Sequence, residues 1–137
     1  MLFQRQFYAD AAPDVRLRAA KALDLRSLAH LGDSVFELYE RERQIVSTVT
    51  VEGMHNKVVG RVNSKEQARL LVLLKPHLNE TEEDVVRRAR NLKTTGFRRN
   101  VEQSVLRQAT AFEALIGFLY LVDESRLEAI LALIENQ

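Results

Sequence analysis

Leu28, Leu31, Val35 and Leu38 recur every three or four residues, the spacing that lines up one stripe of a helix, and they predict a helix from about Leu25 to Ile45. Upstream, Pro13 and Asp14 open a shorter helix that reaches about Lys21, because proline suits the first helical turn. Val46 to Val51 is rich in β-branched residues and is the one place where a strand competes. It is brief and isolated, so a connection is expected there. A third helix is expected over Gly53–Val62. Ser64 and Gln67 have capping-box spacing and start a fourth, which stops near Pro76. Thr81 and Asp84 mark a further start, with Glu82 and Glu83 suited to a helix N-terminus, and that helix ends near Asn91. Leu92 to Asn100 contains Gly96 and reads as a loop. A long helix from about Val101 to Val122 follows, and Ser125 with Glu128 caps the last one. Long runs of alternating β-branched residues are absent, so the expected class is all-α with about seven helices.

Composition narrows this picture. At 137 residues the chain has the length of one domain, able to bury a core without staples. It contains no cysteine, which removes disulfides, thiolate metal sites and a cysteine nucleophile. The net charge of +1 is low for a protein that grips a polyanion with its whole surface, so any nucleic-acid affinity must come from uneven placement of charge. No basic-then-apolar signal pattern opens the chain, and the longest apolar stretch, Ala109 to Val122, is interrupted by Glu113 and reads as too short for a membrane span. The expectation is a cytoplasmic protein with no membrane partner. The three histidines are far apart and lack metal-ligand spacing, although His30 stands close to one candidate acid in sequence.

Two acids stand out. Asp33 follows Gly32 within a mostly apolar helix, and Glu113 is the one charged residue of Ala109–Val122. A carboxylate among apolar neighbours is costly unless paired or bound to a cation. Two of them on helices that pack together suit a hard divalent ion such as magnesium, which takes a few carboxylates and keeps several waters. An acid on an amphipathic helix is more often simply solvated, as Glu37 would be when paired with Arg41. Gly32, Gly117, Ala109, Ala111 and Ala114 would let helices approach closely.

Basic residues cluster as well. Arg87, Arg88, Arg90, Lys93, Arg98 and Arg99 occupy Val85–Val101 with no acid among them, and Lys57, Arg61 and Lys65 form a second set. Arg87 and Arg88 fit a plain role at a helix C-terminus, whereas Lys93, Arg98 and Arg99 lie beyond it. Neither set is interleaved with aromatics, so stacking on single strands is not favoured. Duplex RNA is read through shape, phosphates and 2′-hydroxyls, a task suited to Asn63, Asn91, Thr94 and Thr95 beside these cations.

The same segments resemble a known family. LAHLGDSVFELY (28–39) is similar to the signature helix of ribonuclease III, ATAFEALIGFLYL (109–121) resembles that family's second acidic helix, and LKTTGFRR (92–99) resembles the basic loop before it. Order and separation agree over residues 28–121. The family's pattern has an acid four positions before the signature Asp and another three before the second-helix Glu; Ala29 and Thr110 stand there instead. The reduced acid set, the short chain and the string from Arg88 to Lys93 are similar to the Mini-ribonuclease III subfamily. That resemblance implies a single catalytic domain over 1–137 without a separate double-stranded-RNA-binding domain, working as a symmetric homodimer. It implies an endoribonuclease for double-stranded RNA, in this subfamily usually precursor large-subunit ribosomal RNA, dependent on Mg2+ with Mn2+ as a substitute, and open to help from a ribosomal protein. Asp33 and Glu113 would be the metal ligands and catalytic residues, and Lys57, Arg61, Asn63, Lys65, Arg90, Asn91, Lys93, Thr94, Arg98 and Arg99 the RNA-binding set. Ala29 and Thr110 also motivate a rival, a ribonuclease III fold that binds RNA or a ribosomal particle without cutting. A plain helical interaction domain is the third reading.

Overall fold

A computed structural model describes residues 5–92 and 102–137. Among them are seven α-helices, one 3-10 turn and no strand: α1 (Pro13–Lys21), α2 (Leu25–Ser47), α3 (Val51–Val62), α4 (Ser64–Leu74), the turn Lys75–His77, α5 (Glu80–Arg90), α6 (Gln103–Val122) and α7 (Glu124–Ile134). Val46–Val51 therefore splits between the end of α2, a three-residue link and the start of α3. The expected loop from Leu92 to Asn100 lies almost wholly outside the described residues.

The helix starts are chemically well marked, but one or two residues earlier than the Ser and Thr signals suggest. Asn63 caps α4 by accepting from the Glu66 amide, and Asp123 caps α7 by accepting from the Arg126 amide. Asn79 and Glu82 form the reciprocal capping box of α5: Asn79 Oδ1 accepts from the Glu82 amide at 2.9 Å and the Glu82 carboxylate accepts from the Asn79 amide at 3.0 Å. Asn and Asp satisfy orphan amides at least as well as Ser and Thr, so they win where both are present.

Helix α6 is the axis of the fold. α2, α4, α5, α1 and α7 all pack on it, and Phe112, Leu115, Ile116, Phe118 and Leu119 are fully enclosed. By length and composition alone this 20-residue helix is apolar enough to cross a membrane, a test that a buried core helix passes as well. Its apolarity follows from being surrounded by other helices on most sides.

Ionic contacts close the periphery. The Arg126 guanidinium of α7 grips the buried Glu82 carboxylate with bonds of 2.8 and 2.9 Å and donates to the His77 carbonyl at 2.8 Å. Burial alone would push the Glu82 carboxyl upward, but the Arg126 bond, the Asn79 amide and the Arg126 charge outweigh it and hold it below its ordinary value. At the opposite corner Glu40 is fully buried in α2 and takes Arg43 at 3.3 Å and Arg61 at 3.4 Å. Before α1, Arg5 lies 3.7 Å over the Tyr120 ring and pairs with Glu124 at 2.8 Å, which ties the N-terminal segment to the end of α6.

Candidate active site

α2 and α6 cross antiparallel at unusually short range. Leu28 meets Gly117, Gly32 meets Glu113, and the Phe36 ring stands edge-on to Phe112 with centroids 5.0 Å apart. A Cβ at Gly32 would overlap the Glu113 carbonyl oxygen and lie 2.7 Å from its carbon and 2.8 Å from the Gly117 nitrogen. Only a glycine lets one backbone sit this close to another.

The two acids lie at or beside this crossing along their helices. Asp33 directly follows Gly32, and Glu113 is the residue whose carbonyl touches Gly32. Both carboxylate residues are partly buried, neither sealed in the core nor fully solvated. Ala29, one turn earlier in α2, is buried, and Thr110, one turn earlier in α6, is partly buried; neither side chain is a carboxylate. Among the described residues no group of three or more His, Cys, Asp or Glu side chains comes together. Asp33 and Glu113 could supply at most two carboxylates here, a set that would suit a hard ion keeping most of its ligands as water. His30 is exposed on α2.

The proposed RNA contacts divide. Lys57 on α3, Lys65 in the first turn of α4 and Asn91 at the end of α5 are exposed, and Arg90 is partly exposed. Arg61 departs from the sequence expectation. Its guanidinium is directed inward, to Glu40, to Glu66 at 3.3 Å, and to the Ile134 and Gln137 carbonyls at 2.6 and 2.8 Å. A side chain so occupied at its donors has little left for phosphate. Asn63 departs likewise: its oxygen caps α4 and its amide nitrogen donates to the Val59 and Gly60 carbonyls at 3.0 and 3.2 Å. Sequence spacing could show that Arg61 lay on a basic stripe, but not that Glu40, 21 residues away, was waiting for it. Lys93, Thr94, Thr95, Arg98 and Arg99 lie outside the described residues. Arg87 and Arg88 stand in the last turn of α5, where Arg87 pairs with Asp84 and Arg88 reaches Asp84 at 3.8 Å and the Lys21 carbonyl at 3.4 Å. Arg87, Arg90, Lys21 and Lys75 line an open cleft with Glu80, Glu83 and Asp84. Its mixed charge does not make a selective phosphate groove.

Comparison with known proteins gives this helical arrangement a class. The model of the ribonuclease III domain matches residues 26–124, which include both acids. The chain belongs to the ribonuclease III family, and with it to the endoribonucleases. Among its relatives, Mini-ribonuclease 3 of Gloeobacter violaceus is 42% identical over 85% of each chain. Mini-ribonuclease 3 of Synechocystis is 40% identical over 85% of this chain and 81% of its own. The crystal structure of protein FN1578 from Fusobacterium nucleatum superposes with a TM-score of 0.78 at 27% identity, covering 85% of this chain and 97% of that one. The all-helical expectation and the resemblance to the Mini-ribonuclease III branch are both met.

Proposed function

We propose that the chain is a metal-dependent endoribonuclease that cuts double-stranded RNA, in the cytoplasm, and matures precursor large-subunit ribosomal RNA. The observation that carries this reading is the glycine crossing, where the backbone of Gly32, the neighbour of Asp33 in sequence, abuts the backbone of Glu113. The ribonuclease III family is metal-dependent, generally with Mg2+. In this reading Asp33 and Glu113 hold the ion. When bound, it supplies an activated water and neutralises charge on the scissile phosphate. The protein's own contribution is to hold two carboxylates partly screened from solvent and fixed relative to each other.

RNA would be held by Lys57, Lys65, Arg90 and Asn91 together with Lys93, Thr94, Arg98 and Arg99. Cations on the surface of three separate elements suit a backbone tracked over its shape, with affinity that falls as salt rises. We further propose that two copies pair so that two equivalent sites face the two strands. In support, Leu38 and Ile45 are 55% and 62% exposed one heptad apart on α2, and Val46, Val49 and Val51 continue the apolar surface.

The test compares wild type with Asp33→Asn on long duplex RNA in Mg2+. Cleavage by wild type that disappears in the variant, with RNA affinity retained, supports the assignment. RNA bound by both proteins and cut by neither would replace it with a non-cutting RNA-binding module.

A further inference from the structure

Four glycines lie in the described residues, and their surroundings differ sharply. A Cβ at Gly60 would meet nothing within 4 Å, and one at Gly53 would meet the Thr50 hydroxyl at 2.9 Å, a side chain that can turn away. Gly32 and Gly117 are different, because every atom a Cβ would meet there is backbone. Gly32 adjoins Asp33 and so belongs to the site itself. Gly117 does not: it lies one helical turn beyond Glu113, and its contact is the Leu28 carbonyl, one turn before Gly32. A Cβ at 117 would overlap that oxygen and stand 2.9 Å from the Leu28 carbon and 3.0 Å from the Gly32 nitrogen.

We propose that Gly117 is the positioning residue that sets the separation of Asp33 and Glu113, and through it the affinity for the divalent ion; this rests on the metal assignment above. The two acids stand on different helices, so the distance between them is set by the distance between α2 and α6. Backbone cannot rotate out of a clash as a side chain can, and a close-packed interface transmits the displacement. Mg2+ demands near-ideal octahedral geometry, and a shift on the order of 1 Å at a reacting centre costs about a hundredfold. No third acid among the described residues is near enough to take up the slack. A site with two carboxylates is thus more sensitive to spacing than one with four.

The experiment titrates RNA-free protein with Mn2+ and with Mg2+ by calorimetry and, separately, finds the Mg2+ midpoint for cleavage. Gly117→Ala is compared with wild type, with Asp33→Asn, and with Ile130→Ala, which removes a fully buried side chain from α7. Gly117→Ala is made alone and combined with Gly60→Ala, which stiffens α3 without new contacts. The expected result is a metal dissociation constant raised about tenfold or more in Gly117→Ala, a matching shift of the cleavage midpoint, and values within twofold of wild type for Ile130→Ala despite its lower Tm. Metal affinity within twofold of wild type in folded Gly117→Ala overturns the inference, as does an equal shift in Ile130→Ala. Should Gly117→Ala not fold in either background, Phe112→Leu decides, since it loosens the same crossing without a backbone clash. A shift beyond that of Ile130→Ala supports the inference, and none overturns it. If instead Asp33→Asn binds the ion as wild type does, the metal assignment itself has failed.

Discussion

The α2–α6 crossing and the corner around Glu40 are joined by opposite means. At the crossing two backbones touch, glycines make the room, and the surroundings are aromatic and aliphatic. At the corner a fully buried carboxylate gathers Arg43 and Arg61, and Arg61 passes on to Glu66 and the carbonyls that end α7. Contact between backbones fixes a distance to a fraction of an ångström, which suits the elements that carry the acids. The ionic knot joins side chains of α2, α3 and α4 to the carbonyls that end α7, and it matters most for α3, of which Val58 is the one buried residue. On the proposed assignment, chemistry sits where geometry is least adjustable, while the charged corner serves to attach a helix that has little core of its own.

Four changes would break or sharpen this contrast. The largest effect expected is on catalysis: Glu113→Gln lowers the cleavage rate about a thousandfold or more, since several kcal/mol of charge stabilisation depend on the carboxylate. It should leave the thermal transition nearly in place, so single-turnover rates and Tm measured on one preparation separate the two properties. Next is the corner. Arg61→Ala leaves Glu40 buried with only Arg43, and breaking a buried pair from one side costs about 3–5 kcal/mol. Urea unfolding should show that loss. A loss below about 1 kcal/mol would mean that the knot is ornamental and that α3 is held by other contacts.

The third change is acid. Glu66 is held below its ordinary carboxyl value of 4.5 by its hydrogen bond from Arg69, against the opposing effect of burial, and by the charges of Arg69 and Arg61; Glu82 is lowered as described. A carboxyl lowered in the folded state contributes stability that is present above the unfolded value and drains away as pH falls through the folded one. Stability should therefore begin to fall below about pH 4.5, and Glu82→Gln should flatten that dependence while lowering stability at neutral pH. Tyr39 marks the alkaline side. Burial, then the Glu135 charge, pushes its phenol from 10.0 up to about 12, so its contribution is complete below pH 10 and lost as pH rises through 12. The smallest effect is Gly60→Ala, which removes a helix-interior glycine with open space around it and should stabilise by up to about 1 kcal/mol in the same urea assay.

What could be read from the sequence follows the same division. Helices are periodic and local, so all seven were legible, and Asn79 and Asp123 displaced Thr81 and Ser125 as caps by only two residues. The two acids were visible because their neighbours are apolar, and the small residues beside them announced a close approach. The crossing register itself was not legible, since 28 against 117 is a tertiary fact. The internal partners of Arg61 and Asn63 were not legible either: a polar side chain on or beside an amphipathic helix looks available until such a partner is known. Glu82 shows the limit most clearly. It was taken as a favourable charge at a helix start, and it is that, but it is also buried beneath an arginine 44 residues further along.

Helix α6 has a consequence for how the protein comes into being. It is the element on which α1, α2, α4 and α5 rest, yet it is synthesised sixth. At roughly 5–20 residues per second, several seconds pass between the emergence of α2 and that of its main neighbour. During that interval five amphipathic helices are outside the ribosome with their apolar stripes uncovered. Folding is thus closer to a single late event than to a progressive one, and chain termination before residue 122 would leave helices with nothing to close around.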